Sequence, residues 1–300
     1  MTVTIQAQRN GGATEISKTT CCGTTCCEDA GEQTEALSPE AIKTMVREKY
    51  AAIAREADAS CGCSDDCCGE NLTMIGDAYE GKEGYVADAD LGLGCGLPTD
   101  LAGMKLGDTV LDLGAGAGID AFIARTVVGE HGRVIGVDMT PEMIDKARNN
   151  AAELGFGNVE FLQGDIESLP LDDGLVDVVV SNCVLNLVPD KAAAFSEMYR
   201  VLKPGGHFTV SDIVVRGELP ASIRDSAALY AGCVAGAIQE SAYLDLLREA
   251  GFSSVRVLKE KPIVVPDETL RKWASAAEIE AFRRAGDGIV SVTVHGERVG

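Results

Sequence analysis

The sequence predicts an α/β fold in which a mostly parallel sheet carries helices on both faces, followed by a small C-terminal α+β extension. Short apolar runs alternate with helical segments between residues 109 and 214, a pattern typical of right-handed βαβ units. The first apolar run passes directly into a loop with three alternate glycines and then into a helix. We therefore expect a ligand site across the carboxyl ends of the strands.

Each predicted element has a local signal. A helix begins at the Ser38-Pro39 cap and continues to about Ile53, with apolar residues at helical spacing. The main strands are expected at residues 109–113, 133–138, 159–163, 175–180 and 207–214, and helices at 140–154 and 191–202. Beyond them, helices are expected at 224–237, 243–250 and 268–284, and strands at 255–258, 263–265 and 289–294.

Composition and pattern divide the chain into three parts. Residues 1–37 are rich in Gly, Thr, Gln and Glu with little apolar periodicity, which is typical of a flexible tail, and this tail contains cysteines. Residues 38–255 are expected to form the main ligand-binding domain. Residues 256–300 are expected to form the small C-terminal extension.

Charge and hydropathy argue against several function classes. The sequence has 26 Lys and Arg against 47 Asp and Glu, a net charge of −21, and no basic cluster. A nucleic-acid partner would have to overcome long-range repulsion, so we expect none. No apolar run reaches the length that spans a bilayer, and the first twenty residues lack a signal-peptide core. We therefore expect a cytoplasmic protein with no membrane partner.

The chain is rich in cysteine. Eight of its 11 cysteines lie in two short tracts before residue 70, namely Cys21, Cys22, Cys26 and Cys27, and then Cys61, Cys63, Cys67 and Cys68. An odd number of cysteines in a chain without a signal peptide argues against a disulfide framework. The pattern indicates thiol chemistry or the binding of a soft metal.

The glycine loop after the first strand indicates the cofactor. It reads D-x-G-x-G-x-G, with Asp112, Gly114, Gly116 and Gly118, and Ile119 stands where a dinucleotide fingerprint would need its next glycine. No phosphate-binding motif occurs, which favours a cofactor without phosphate. This form resembles motif I of the class I S-adenosylmethionine-dependent methyltransferases, and the resemblance implies S-adenosyl-L-methionine as the cofactor.

Acidic residues at the strand ends are candidate cofactor ligands. Asp138 ends the second strand 20 residues beyond Gly118, where a ribose-binding acid is expected. Asp165 follows the third strand, near the expected adenine, with Glu167 behind it. The predicted cofactor set is completed by Met139, Ile166 and Asn182. An alternative is that the acids cap the helices that follow them.

The residues near the expected methyl group suggest a thiol-bound acceptor. The fourth strand ends in Ser181-Asn182-Cys183, and the three histidines of the chain are scattered, so no general base is apparent. Cys95 in a glycine-rich loop and Cys233 in a helix of small residues can reach the same sheet edge as Cys183. Three such thiols suggest a soft, thiophilic ligand. Two alternatives remain open: small packing residues, or zinc, although C-x-x-C pairs are missing here.

The combined motifs are more specific than any one of them. The segments Leu91–Pro98, Asp112–Gly118, Val134–Met143 and Ser181–Asn186, with the Cys233 segment, together resemble the arsenite S-adenosylmethionine methyltransferase family over about residues 38–255. The resemblance implies a Rossmann-like class I methyltransferase fold and a role in arsenic detoxification. It implies that thiolates of Cys95, Cys183 and Cys233 bind trivalent arsenic (arsenite or methylated arsenicals), whose lone pair attacks the sulfonium methyl group.

The resemblance also implies two further participants. A thiol reductant of the glutathione or thioredoxin type would regenerate trivalent arsenic between rounds. A further cysteine upstream of the loop would join the site, and chain order favours Cys61 or Cys63 over Cys67 and Cys68, although spacing does not decide. The tail cysteines either capture arsenite and pass it on or have no role.

Two other function classes remain open from the residues alone. One is a small-molecule C- or O-methyltransferase whose cysteines are structural or bind zinc. The other is a non-catalytic protein that sequesters metalloids. Replacing Cys183 by serine discriminates the first class, because activity would then be retained.

Overall fold

The structure, a computed structural model, describes residues 38–58, 79–218, 236–264, 267–272, 274–285 and 288–300. Three sets of sequence predictions fall outside the described residues: the tail at 1–37, the helix at 224–237 that contains Cys233, and the cysteine tract Cys61, Cys63, Cys67 and Cys68. None of the described helices is both long and apolar enough to cross a membrane.

Seven strands form one mostly parallel sheet. They are β1 (Thr109–Leu113), β2 (Arg133–Asp138), β3 (Val159–Gln163), β4 (Val176–Asn182), β5 (Leu202–Arg216), β6 (Ser253–Ile263) and β7 (Gly288–Glu297). Their order is β3-β2-β1-β4-β5-β7-β6. Strands β1 to β5 are parallel, and β7 is antiparallel to both of its neighbours. The strand order reverses between β1 and β4, which is where folds of this kind bind ligands.

Helices cover both faces of the sheet, as predicted. The described helices are α1 (Pro39–Asp58), α2 (Pro98–Leu101), α3 (Ile119–Val128), α4 (Pro141–Glu153), α5 (Lys191–Val201), α6 (Glu240–Glu249), α7 (Asp267–Leu270) and α8 (Ala276–Ala285). Alternate strand residues point to opposite faces: Val178 packs with α3 and α4, whereas Val179 packs with α5 and α6. Helix α1 packs on α4 and reaches the carboxyl edge of the sheet.

The C-terminal part differs from the prediction in detail. Strand β6 is one continuous strand rather than two short ones, and the helix expected at 268–284 is divided into α7 and α8. Strand β7 pairs with β5 from His207↔Glu297 to Arg216↔Gly288. Its side chains are buried on both faces, with Val290, Val292 and Val294 on one face and Ser291, Thr293 and His295 on the other. The domain boundary predicted at residue 255 therefore falls within β6, and residues 256–300 extend the main sheet.

Candidate functional site

A cavity lies at the carboxyl ends of β1 to β4. Its walls come from the glycine loop after β1, the ends of β2 and β4, the loop after β3, the segment at 89–94 and helix α1. Eight of the ten predicted cofactor residues line it: Asp112, Gly114, Gly116, Asp138, Met139, Asp165, Ile166 and Asn182. The fold thus brings together most of the residues that the sequence singled out.

Gly118 and Glu167 are the two predicted cofactor residues that the structure does not place on the cavity wall. Gly118 is buried at the start of α3 with φ +100°, and a Cβ there would lie 2.8 Å from the ring of Phe161. It therefore serves close packing between helix and sheet. The carboxylate of Glu167 faces away, accepting hydrogen bonds from Lys43 and from the Asp190 backbone N–H at 2.9 Å.

The cavity is acidic. Burial, together with the charges of Asp120 and Asp138, raises the pKa of Asp112 well above its usual range. Asp112 is only 2 % exposed, and its Oδ2 has no hydrogen-bond partner among the described residues. Burial also raises the pKa of Asp120 to about 6. Such a wall favours a cationic ligand, because a nearby positive charge would stabilise the ionised carboxylates.

Asp138 closes the glycine loop onto the second strand. Its carboxylate accepts the Gly116 N–H at 3.0 Å and the Thr140 N–H at 2.8 Å. Burial nevertheless raises the pKa of Asp138. Gly116 has φ +52°, and a Cβ there would find nothing nearer than the Met143 sulfur at 4.0 Å. The backbone at this glycine therefore borders open space that a ligand can enter.

Lys43 of helix α1 is a site residue that the sequence reasoning missed. Its Nζ donates to Asp165 Oδ2 at 2.6 Å and to Glu167. Although burial acts in the opposite direction, the hydrogen bond from Lys43 holds the pKa of Asp165 below its usual value. The available signal was helical spacing, since Lys43 shares one face of α1 with Val46 and Tyr50, which also line the cavity.

The structure describes two of the three predicted arsenic ligands. Cys183 follows β4 and lines the cavity with φ +61°, and its N–H donates to the Ser211 carbonyl at 2.8 Å. Cys95 is buried in one apolar cluster together with Cys183 and Leu187, and its carbonyl accepts a hydrogen bond from Ser291. Within the described ranges, no three His, Cys, Asp or Glu side chains are grouped to hold a metal ion. Cys233 lies outside the described residues, so its place in the site stays a prediction.

Asn182 joins the cofactor side of the cavity to the Cys95 loop. Its Oδ1 accepts the N–H groups of Cys95 at 2.9 Å and Gly96 at 3.3 Å. Its Nδ2 donates to the Gly96 carbonyl at 2.8 Å, to Asp120 Oδ2 at 3.3 Å and to the Tyr79 hydroxyl. The Tyr79 hydroxyl donates in turn to Asp120 Oδ2 at 2.7 Å. Neither Tyr79 nor Asp120 was identified from the sequence.

Comparison with known proteins agrees with this geometry. The family described as a methyltransferase domain matches residues 105–251. An arsenite methyltransferase from Halobacterium salinarum is 41% identical over 293 residues, covering 94% of this chain and 73% of the relative. The chain belongs to the arsenite methyltransferase family. The resemblance inferred from the three cysteine contexts is thereby confirmed.

Two further arsenite methyltransferases are similar over shorter spans. One from Aquipseudomonas alcaligenes is 41% identical over 186 residues, which cover 59% of this chain and 53% of that protein. A crystal structure of an arsenic(III) S-adenosylmethionine methyltransferase from Chlamydomonas reinhardtii superposes with a TM-score of 0.57 and 40% identity, covering 66% of this chain and 65% of that one. The predicted class I methyltransferase fold is confirmed.

Proposed function

We propose that this arsenite methyltransferase family member transfers methyl groups from S-adenosyl-L-methionine to trivalent arsenic held by cysteine thiolates, as a step of arsenic detoxification. One observation carries the proposal: Cys183 lies on the wall of the same cavity that the acidic glycine loop lines. A thiolate-bound arsenic atom and a cationic cofactor can therefore meet in one cavity. The names of the relatives from Halobacterium salinarum and Chlamydomonas reinhardtii support the same reaction.

The residues of the cavity fit this cofactor. The buried, unpartnered Oδ2 of Asp112 needs a hydrogen-bond donor, which the cofactor's ammonium group offers. Asp138 would hold the ribose hydroxyls, and Asp165 and Ile166 would contact the adenine. The missing side chain at Gly116 leaves room for the cofactor against the loop. When bound, S-adenosylmethionine would supply an electrophilic methyl group with a neutral thioether as the leaving group, and an arsenic lone pair can attack that methyl carbon without removal of a proton.

The cysteines would hold and orient the substrate. Soft thiolates are the preferred ligands of a thiophilic atom, and arsenic with three sulfur ligands keeps its lone pair. The proposed set is Cys95, Cys183 and Cys233, with Cys61 or Cys63 as a further ligand. Their contribution is in-line positioning of arsenic and methyl carbon, so the reaction needs no general base.

A thiol reductant completes the proposed cycle. Methyl transfer uses the arsenic lone pair and so oxidises the substrate formally from As(III) to As(V). Two thiols of the glutathione or thioredoxin type would return two electrons and form one disulfide. The same reducing conditions would keep the arsenic-binding cysteines as thiols, and we therefore propose that the enzyme works in the cytoplasm.

The test is incubation of the full chain with arsenite, glutathione and methyl-labelled S-adenosylmethionine, followed by chromatography of the arsenicals. We expect labelled methylarsenicals, and none in a parallel reaction without arsenite. Arsenite binding without any labelled arsenical would replace this proposal by metalloid sequestration. Label transferred to a quinone or a similar small molecule, with none on arsenic, would support C- or O-methylation instead.

A further inference from the structure

A buried polar network connects the cofactor cavity to the Cys95 loop. Tyr79 and Asp120 are 4 % and 5 % exposed, and both line the cavity. Asp120 lies in the first turn of α3, directly after the glycine loop, and Asn182 is the last residue of β4. Thr99 makes a longer contact with the other oxygen of Asp120, at 3.5 Å. Asn182 is partly buried, and because Tyr79 and Asp120 are buried, the hydrogen bonds within this network restrict its geometry.

The network determines which way the Asn182 amide faces. The Tyr79 hydroxyl donates its one hydrogen to Asp120, so it can only accept a hydrogen bond from Asn182. Asp120 as a carboxylate can likewise only accept. Both groups therefore require the amide NH₂ on their side. The amide oxygen is then directed at the N–H groups of Cys95 and Gly96, where the reverse orientation would oppose donor to donor.

The Cys95 loop depends on this orientation because it approaches the sheet so closely. A Cβ on Gly94 would lie 2.7 Å from Asn182 Nδ2, and a Cβ on Gly96 would lie 2.6 Å from Ser211 Oγ. Cys95 stands between these two glycines. Its backbone is held from one side by Asn182 and from the other by Ser291, whose hydroxyl donates to the Cys95 carbonyl at 2.7 Å.

We infer that Tyr79 and Asp120 are positioning residues for Cys95, which act through the orientation of the Asn182 amide. The inference rests on the proposed function in that Cys95 is taken as an arsenic ligand. Tyr79 and Asp120 line the cofactor cavity, yet by this inference they affect the affinity for arsenite. It also explains why two side-chain acceptors, in addition to the Gly96 carbonyl, are gathered around one amide nitrogen.

The test uses the full chain with Tyr79→Phe, Asp120→Asn and the double variant. Site-resolved alkylation of Cys95 by iodoacetamide, followed by mass spectrometry, reports the reactivity of this thiol and its protection by arsenite. We expect the arsenite concentration for half-protection, and the KM for arsenite, to rise about tenfold in each single variant. The dissociation constant of S-adenosylmethionine, measured by calorimetry, should change less. The double variant should be no worse than the poorer single variant, because both act on one amide.

Tyr243→Phe is the matched control. The Tyr243 hydroxyl also donates to a buried carboxylate, Asp212 Oδ2 at 3.2 Å, so its loss tests the general cost of deleting such a hydroxyl. Ser211 faces the Cys95 loop and its neighbour Asp212 faces the opposite side of the sheet, so this pair does not touch Asn182. The Tyr243 hydroxyl lies within electrostatic range of Cys95 and Cys183, but burial raises its pKa well above the usual value, so it is neutral and its loss removes no charge. Arsenite protection of Cys95 should therefore change far less in this variant than in the Tyr79 and Asp120 variants.

Two outcomes separate this inference from the proposed function. Weaker cofactor binding with unchanged alkylation and arsenite protection of Cys95 would show that Tyr79 and Asp120 serve the cofactor alone, and the inference would be wrong. A wild-type enzyme that yields no labelled arsenical would overturn the proposed function. The Cys95 alkylation rate without arsenite would in that case still decide whether the network positions this thiol.

Discussion

The two ends of the cavity are built in different ways. At the cofactor end, charged side chains stand at the ends of regular strands, as Asp112 does on β1 and Asp138 on β2. At the cysteine end, Cys183 lies on the cavity wall with positive φ. Cys95 lies on a loop in the same apolar cluster and is buried rather than on the wall. At one end, carboxylate charge would thus select the cationic cofactor. At the other end, the soft thiolates and their placement would select trivalent arsenic. Substitutions should consequently separate binding of the two substrates.

The largest expected effect is at the cysteine end. Cys183→Ser replaces a soft thiolate by a hydroxyl that binds arsenic poorly, and we expect arsenite methylation to fall at least about 100-fold. Binding of S-adenosylmethionine, measured by calorimetry, should remain within about twofold, because the carboxylates of the other end are unchanged. Retention of most activity would identify Cys183 as a packing residue and would favour another methyl acceptor.

The next effect is at the cofactor end. Asp138→Ala removes the proposed ribose ligand and the acceptor of the Gly116 and Thr140 N–H groups. We expect the dissociation constant of S-adenosylmethionine to rise about 30-fold, since hydrogen bonds to a charged group are involved. Arsenite protection of Cys183 against alkylation should not change. Asp145→Ala, which removes an exposed carboxylate from α4, is the control for net charge.

How far the sequence predicted this molecule depends on the range of the contacts. Strands β1 to β3 have the predicted bounds, because glycines, prolines and aspartates mark their ends within the local sequence. The course of β6 was not predicted, because the charged residues Arg256, Lys259 and Glu260 are exposed on this outer strand and dilute the apolar signal. Tyr79 meets Asp120 and Asn182 across 41 and 103 residues, which no local pattern encodes.

A smaller effect should follow from removing the ion pairs between helix α1 and the loop after β3, where the adenine is proposed to bind. Lys43→Met keeps the apolar stem of the side chain but removes the ammonium that bonds Asp165 and Glu167. We expect the dissociation constant of S-adenosylmethionine to rise about fivefold, the scale of one partly buried ion pair. Arg55→Ala is the control. It breaks a different ion pair of helix α1, with Glu142 on α4, and neither residue lines the cavity. If this control weakens binding equally, α1 acts through packing rather than through Lys43.

The smallest expected effect is a pH dependence of cofactor binding. In the free protein burial raises the pKa of Asp120 to about 6, so part of this carboxyl group carries a proton near pH 6. Burial and the charges of Asp120 and Asp138 also raise the pKa of Asp112. A cationic ligand favours the ionised forms, so binding should release protons. The affinity for S-adenosylmethionine should therefore rise about threefold between pH 5 and pH 7 and then level off.

The charge of the sulfonium gives this last prediction its control. S-adenosylhomocysteine lacks that positive charge, so its affinity should depend less on pH over the same range. Calorimetry in two buffers with different heats of ionisation counts the protons released in each case. Asp120→Asn should flatten the profile for S-adenosylmethionine. Equal pH profiles for the two ligands would mean that the carboxylates interact with the ammonium group and not with the sulfonium. The acidic wall would then orient only the amino-acid end of the cofactor.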